Sequence, residues 1–197
     1  VYREAHYHFD ARVNSLRPPI QLTGYFQSPR YFEDQRDAIR TELTCPRPTS
    51  EKVLDLGDEI ANQPSVSLHV RRGDYLTDAN ANKTFVSCPL SYYEHALRKM
   101  PIACPVFVFS DDITWCQTHL SHLPNVRFPD QSIRRNDLDD FWLMTQARHH
   151  VIANSSFSWW AAWWANHPDG ITVAPTRWFV DTSRRDSDLI PESWIRV

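Results

Sequence analysis

The 197 residues, 42% hydrophobic and 23% charged, suit a soluble globular fold with a sizeable core, and hold neither a transmembrane run nor a signal peptide. A net charge of −3 gives no general attraction to nucleic acid or anionic lipid, so any basic site must be local. Four glycines leave no Walker loop and no GxGxxG, so phosphate would have to be held mainly by side chains.

Val1 to Pro19 mixes aromatic and polar residues without a period and reads as irregular or edge structure. Gln21 to Tyr25 reads as a short strand. Ser28 to Leu43 reads as a helix with Phe32, Gln35 or Arg36, Ile39 and Leu43 along one side, and Ser50 to Asn62 as a second helix. From Ser65 the order alternates. The strand Ser65 to Val70, entered from Gln63-Pro64, leads through a polar loop, Thr77 to Ser87, to a helix with a capping box over Ser91 to Glu94. The strand Pro105 to Ser110 ends at Asp111-Asp112, carboxylates suited to the start of a helix through Leu120. A short strand at Val126 to Phe128 precedes a helix from Asp137 to Arg148. The strand His150 to Ala153 then runs into Asn154-Ser155-Ser156 and a Trp-rich helix. Ile171 to Ala174 is the last strand, and the tail reads as irregular. This succession predicts an α/β fold, a parallel sheet with helices on both faces.

Cys45, Cys88, Cys104 and Cys116 lack the paired short spacing of a zinc site or a CxxC and read as reduced thiols. Two glycosylation sequons start at Asn82 and Asn154, and the second, at a strand end, reads as structural. His6, His8, His149 and His150 read as packing or surface residues. Trp159, Trp160, Trp163 and Trp164 are expected to form two stacked pairs on their helix, mostly as core.

Three predicted strand ends carry polar clusters: His69 to Asp74, Ser110 to Asp112, and Asn154 to Ser158. In a parallel sheet all three meet at one edge, where such folds bind ligands. Arg71 and Arg72 offer forked donors that fit phosphate oxygens, and Gly73 lets backbone approach closely. A carboxylate from Asp111-Asp112 can accept from guanine, the other capping its helix, and the serines can hold phosphate at a helix N-terminus. The edge is thus expected to hold a nucleotide. Arg72-Gly73-Asp74 read as an adhesion tripeptide is the more distant alternative.

LHVRRGDY, VFVFSDDITWC and ANSSFSWWAAW, preceded by TGYFQSPRYFED at Thr23 to Asp34, resemble the signature segments of the α-1,2-fucosyltransferase family in the family's order. The resemblance runs from Thr23 to about Ala174. It implies a Rossmann-like fold, the donor-binding half of a two-domain GT-B glycosyltransferase. Residues 1–62 would be the tail of an acceptor-side domain with linking helices, and 63–197 the GDP-fucose-binding domain; the family's glycine-rich GGLGNQ-like opening is missing here. The implied reaction moves L-fucose from GDP-fucose to the 2-hydroxyl of a terminal galactose, with inversion and with neither metal nor other cofactor. The implied partners are GDP-fucose and a galactose-terminated glycan, not nucleic acid. Bacterial cytoplasm is the expected location, with peripheral association at the inner membrane face, and the Golgi lumen is the alternative. By the same resemblance Arg71, Arg72 and Asp74 are catalytic. Arg71 would bind the β-phosphate, Arg72 would support the diphosphate or hold the loop through Asp74, and Asp74 would be the base or an arginine partner. His69, Arg71, Gly73, Asp111, Asp112, Asn154, Ser155, Ser156, Phe157 and Ser158 are the implied donor contacts. A sugar-nucleotide-binding module without transfer activity is the alternative function.

Overall fold

The computed structural model describes residues 1–165 and 167–197. Two short strands, Tyr2–Arg3 (β1) and Leu22–Thr23 (β2), pair parallel with each other near the N-terminus. The principal sheet begins at Val66–Val70 (β3), which is buried at every residue. It joins β3 to Val106–Ser110 (β4), Val126–Arg127 (β5), His149–Val151 (β6), Thr172–Ala174 (β7) and Ile195–Arg196 (β8), all parallel, in the order β5-β4-β3-β6-β7-β8. Counted from β3, this is the doubly wound order 3-2-1-4-5-6 of Rossmann folds, in which the direction of winding reverses between β3 and β6. The α/β, Rossmann-like expectation is borne out.

The strand period of two assigns side chains to the two faces. Val66, Leu68, Val70, Val106, Val108 and Val151 pack with Tyr92, Tyr93, Ala96, Cys116 and Leu120. These belong to two helices, Leu90–Leu97 and Ile113–Leu120. Phe107 and Phe109 face the other way, toward Val53, Leu56 and Ile60 of the helix Glu51–Ala61 and Leu143 and Met144 of Asp137–Gln146. A third cluster surrounds Ser156–Ala165, where Trp159 and Trp163 are buried with Ile152, Ala174, Trp178, Phe179, Leu189 and Ile190. Burial of each such large side chain contributes about 1.5–3 kcal/mol before ordering costs.

In chain order the helices are Arg36–Glu42 (α1), Glu51–Ala61 (α2), Gly73–Thr77 (α3), Ala79–Thr84 (α4), Leu90–Leu97 (α5), Ile113–Leu120 (α6), Asp137–Gln146 (α7) and Ser156–Ala165 (α8). Several differ from the sequence reading. The single helix expected over Ser28 to Leu43 is broken into 3-10 turns at Pro29–Tyr31 and Glu33–Gln35 before α1. Phe32, between the turns, adopts φ −146° and stacks on Trp160 at 5.2 Å. The polar loop Thr77 to Ser87 contains α4, because Asp78 accepts from the N–H groups of Asn80 and Ala81 at 2.7 and 2.8 Å. The capping box expected at Ser91 does not form, since α5 starts at Leu90 after Pro89 and Ser91 is already inside it. A full box stands instead at Asn136 and Asp139 of α7.

The tail is not wholly irregular, for it supplies β8 and four buried residues of the third cluster. The tryptophans do not stack in pairs. Trp160 meets Trp159 and Trp163 edge-on, at 76° and 79°, the arrangement favoured by the ring quadrupole. All four cysteines are free, and His149 packs by accepting the Ile171 N–H at its Nδ1, 3.0 Å. Among the described residues no helix is long and apolar enough to cross a membrane.

Gly57 lies where α2 crosses α7, and a Cβ there would sit 2.2 Å from the Trp142 ring. Gly57→Ala should therefore destabilise the protein by about 1–3 kcal/mol. Helix propensity alone would favour alanine by about 1 kcal/mol. A urea midpoint that rises in the variant would show that Trp142 yields freely.

Candidate functional site

Where β3 and β6 part at their C-terminal ends, the topology opens a crevice. It holds a cavity of about 420 Å³ lined by His69, Arg71, Asp74 and Tyr75 after β3, and by Phe109, Ser110 and Asp111 at the end of β4. Asp137 and Asp140 of α7, Ser155, Ser156 and Phe157 at the start of α8, and Tyr25 and Phe85 complete it.

Arg71 is clamped from two sides. Its Nη2 lies 2.9 Å from Asp74 Oδ1 and its Nη1 3.3 Å from Asp111 Oδ2. Burial acts against the guanidinium charge, but the Asp74 hydrogen bond and the Asp111 charge outweigh it and raise the pKa. Asp111 also accepts from the backbone N–H groups of Arg72 and Gly73, both at 3.0 Å. A Cβ on Gly73 would fall 2.8 Å from Asp111 Oδ2, so glycine is what admits the carboxylate.

Arg72 turns away from the cavity. It reaches Asp112 Oδ2 at 3.3 Å and lies 3.9 Å over the Trp115 ring, so Asp112, not Asp74, is its partner. Asp112 Oδ1 caps α6 by accepting from the Trp115 N–H at 3.1 Å. The carboxylates of the Asp pair therefore have separate donors. Arg72-Gly73-Asp74 forms the start of α3 against β4, not a presented loop tip.

Asn154 is buried, and its Nδ2 donates to the carbonyls of Val86 and Trp178, which anchors two loops beneath the cavity. Tyr75 Oη donates to the Asn154 carbonyl at 2.8 Å, and burial pushes its pKa up to about 12. Ser158 is also buried and donates to the Ser155 carbonyl. Ser156 is exposed as the first residue of α8, whose N-terminal turn faces the cavity through Ser155, Ser156 and Phe157. His69 is 4% exposed and lies against Phe157, with ring centres 5.6 Å apart. Burial, then the Arg71 charge, lowers its pKa to about 3, so it is a neutral wall residue.

Of the sequence-derived set, His69, Arg71, Asp74, Asp111, Ser155, Ser156 and Phe157 come together around the cavity, while Arg72, Gly73, Asp112, Asn154 and Ser158 support it from outside. Sequence reasoning missed Tyr25, Tyr75, Phe85, Phe109, Asp137 and Asp140. Tyr75 was legible as the last residue of LHVRRGDY, and the acids lie in the run Asn136 to Asp140. Asp140 Oδ1 accepts from Arg135 Nε at 2.7 Å; burial raises the Asp140 pKa against that pull. Tyr25 lies in the segment TGYFQSPRYFED and at the end of the strand expected over Gln21 to Tyr25, but neither signal placed it at the edge of the main sheet. It is positioned by Glu4, whose Oε2 accepts from Tyr25 and Phe26 N–H, and by Phe26 at φ +47°. The cavity thus sets one clamped guanidinium and a helix N-terminus beside aromatic walls and four aspartates, two of which hold Arg71, so that it offers a contact for an anion and acceptors for a ring system with N–H donors.

The profile described as Glycosyl transferase family 11 matches residues 10–197. The chain belongs to glycosyl transferase family 11. This family 11 chain is 36% identical, over 96% of its length, to an alpha-1,2-colitosyltransferase of Escherichia coli and spans 67% of that protein. It is 32% identical, over 89% of its length, to the O-antigen biosynthesis glycosyltransferase WbnK of E. coli, of which it spans 60%. It is also 32% identical, over 74% of its length, to galactoside alpha-(1,2)-fucosyltransferase 2 of Oryctolagus cuniculus, spanning 44%. The likeness to the fucosyltransferase family read from the signature segments is thereby borne out.

The buried histidines give a pH test of this packing. His69 and His150 stay neutral in the fold down to about pH 3, whereas the unfolded chain protonates them near 6.5. The unfolded state therefore binds more protons in that window, so stability is full above about pH 6.5 and falls as pH drops toward 3. The expected loss is about 1.4 kcal/mol per pH unit for each histidine. Urea midpoints at about pH 7.5, 6 and 5 check it, and His150→Phe should flatten the slope.

Proposed function

We propose that residues 63–197 are the donor-binding domain of a GT-B enzyme that transfers L-fucose from GDP-fucose to the 2-hydroxyl of a terminal galactose, with inversion and without a metal. The observation that carries this reading is Arg71, clamped by Asp74 and Asp111 in the crevice between β3 and β6. Inverting transfer passes through an oxocarbenium-like state while negative charge grows on the departing diphosphate. A guanidinium fixed beforehand answers that charge without reorganising, and the first turn of α8 adds N–H groups on the same cavity. Asp74 serves as the partner that holds Arg71 in place.

Guanine selection falls to Asp140 in this proposal. Both oxygens of Asp111 already accept backbone N–H groups, and Asp112 caps α6. Asp140 Oδ2 meets no donor among the described residues, and the cavity it lines has Phe109 and Phe157 as apolar walls. Residues 1–62 are read as the tail of the acceptor-side domain, with α2 as the helix that packs it to the sheet. The 36% identity to a colitosyltransferase favours colitosyl transfer in the same linkage as the second reading. The two E. coli relatives support the bacterial cytoplasm as the place of action.

Isothermal titration tests the donor assignment. Arg71→Ala should weaken GDP binding by about 1.5–3 kcal/mol, and lysine should not restore it because the planar fork is lost. GDP should bind at least about tenfold more tightly than ADP. Asp140→Asn should abolish that preference and Asp111→Asn should keep it; equal GDP and ADP affinities in the unmutated chain would sink the guanine assignment. In the complete protein, transfer of fucose should survive EDTA, and assay of both sugars decides between fucosyl and colitosyl transfer.

A further inference from the structure

A second cavity, of about 630 Å³, lies outside the machinery just described and is lined by Ala5, Tyr7, the imidazoles of His6 and His8, and Ser183, Arg184 and Arg185. Its charge is positive. Arg184 meets Asp181 at 3.7 Å, and Arg185 has no ion pair among the described residues. His6 and His8 stack face to face at 4.7 Å and 12°, and His8 Nδ1 is buried without a partner. Parallel rings do not converge their lone pairs on one ion, and two guanidiniums beside them oppose a cation.

The wall between this cavity and the first is aromatic. Tyr7, which lines the second cavity, stacks on Tyr25, which lines the first, at 5.9 Å. Tyr7 also packs at 4.5 Å on Phe179, which meets Phe85 of the first cavity at 5.9 Å. Arg184 lies over both Tyr7 and Phe179, at 5.7 and 5.6 Å. Tyr25, 75% exposed, is the open ring face between the candidate reaction centre and the cationic end, while Phe179, 3% exposed, backs Tyr7 from within the core. Flat aromatic faces suit the apolar faces of sugar rings, and guanidiniums suit carboxylate or phosphate oxygens.

We propose that the His6/His8/Arg184/Arg185 cavity is a subsite for an anionic substituent on the acceptor glycan, seated beyond the sugars that cross the Tyr7–Tyr25 wall. The inference rests on the glycosyltransferase reading of the first cavity. The anion is a carboxylate on an acidic sugar or a phosphate on the glycan, and the test has an arm for each.

The chain is titrated, with detection by NMR, with a neutral galactose-terminated oligosaccharide and with analogues bearing a glucuronic acid or a phosphate away from the galactose, while GDP is titrated in parallel. At low salt at least one anionic analogue should bind about tenfold more tightly than the neutral one, and the arm that wins names the source. Arg184→Gln with Arg185→Gln should remove that advantage and leave GDP affinity unchanged, which also shows that the variant is folded. Equal affinity for neutral and anionic glycans with GDP bound normally overturns the subsite and leaves the donor reading standing. An anion preference that survives the double variant also overturns it. Failure of the unmutated chain to bind GDP overturns the donor reading itself.

Discussion

Asp111 ties the ends of β3 and β4 together, and the edge of the first cavity depends on that tie. One carboxylate at the end of β4 accepts the N–H groups of Arg72 and Gly73 and pairs with Arg71. It thereby fixes where β3 ends, where α3 begins and where the Arg71 guanidinium stands. Backbone N–H groups at a strand end must find partners, and a half-buried anion meets that need while cancelling part of the arginine charge. The arrangement requires glycine at position 73, since any side chain would occupy the place of Asp111 Oδ2.

The other support is the aromatic and amide framework under α8. Asn154 holds the loops at Val86 and Trp178, Tyr75 bonds the Asn154 carbonyl, and Trp159 Nε1 donates to the Leu189 carbonyl at 2.8 Å. Arg40 donates to the carbonyls of Trp163 and Trp164 at the end of the same helix, where a cation suits the helix dipole. Segments distant in sequence, Phe32, Arg40 and the tail from Trp178 to Ile190, thus converge on α8. The N-terminus of α8 is left facing the cavity. A first turn anchored in this way holds its N–H groups in a fixed orientation.

Charge is distributed by role across the molecule. Arg71 alone of the arginine pair faces the first cavity, while Arg72 pairs with Asp112 and lies over Trp115. Arg184 and Arg185 carry positive charge to a separate cavity across the Tyr7–Tyr25 wall. A chain of net charge −3 thereby sets one guanidinium among the four aspartates of the first cavity and gathers two, Arg184 and Arg185, beside aromatic rings in the second.

Much of this was legible in the sequence because it rests on local signals. Strands read from short apolar runs, the parallel sheet from their alternation with helices, and the meeting of three polar clusters from parallel topology itself. Arg71, Asp74, Asp111 and the serines of α8 could be named because each sits directly after a strand. Tertiary structure decided which way each side chain turned. Arg71 and Arg72 are adjacent and chemically alike, and only the positions of Asp112 and Trp115 send one of them away from the cavity. The same holds for Asp111 and Asp112. Asp140 and the His6/Arg184 cavity carry no strand-end signal, and the strand expected to end at Tyr25 lies outside the main sheet; all reach their sites through packing between segments far apart in the chain. The tail failed as a sequence reading for the same reason, since β8 acquires its form only from the hydrogen-bonding edge that β7 offers.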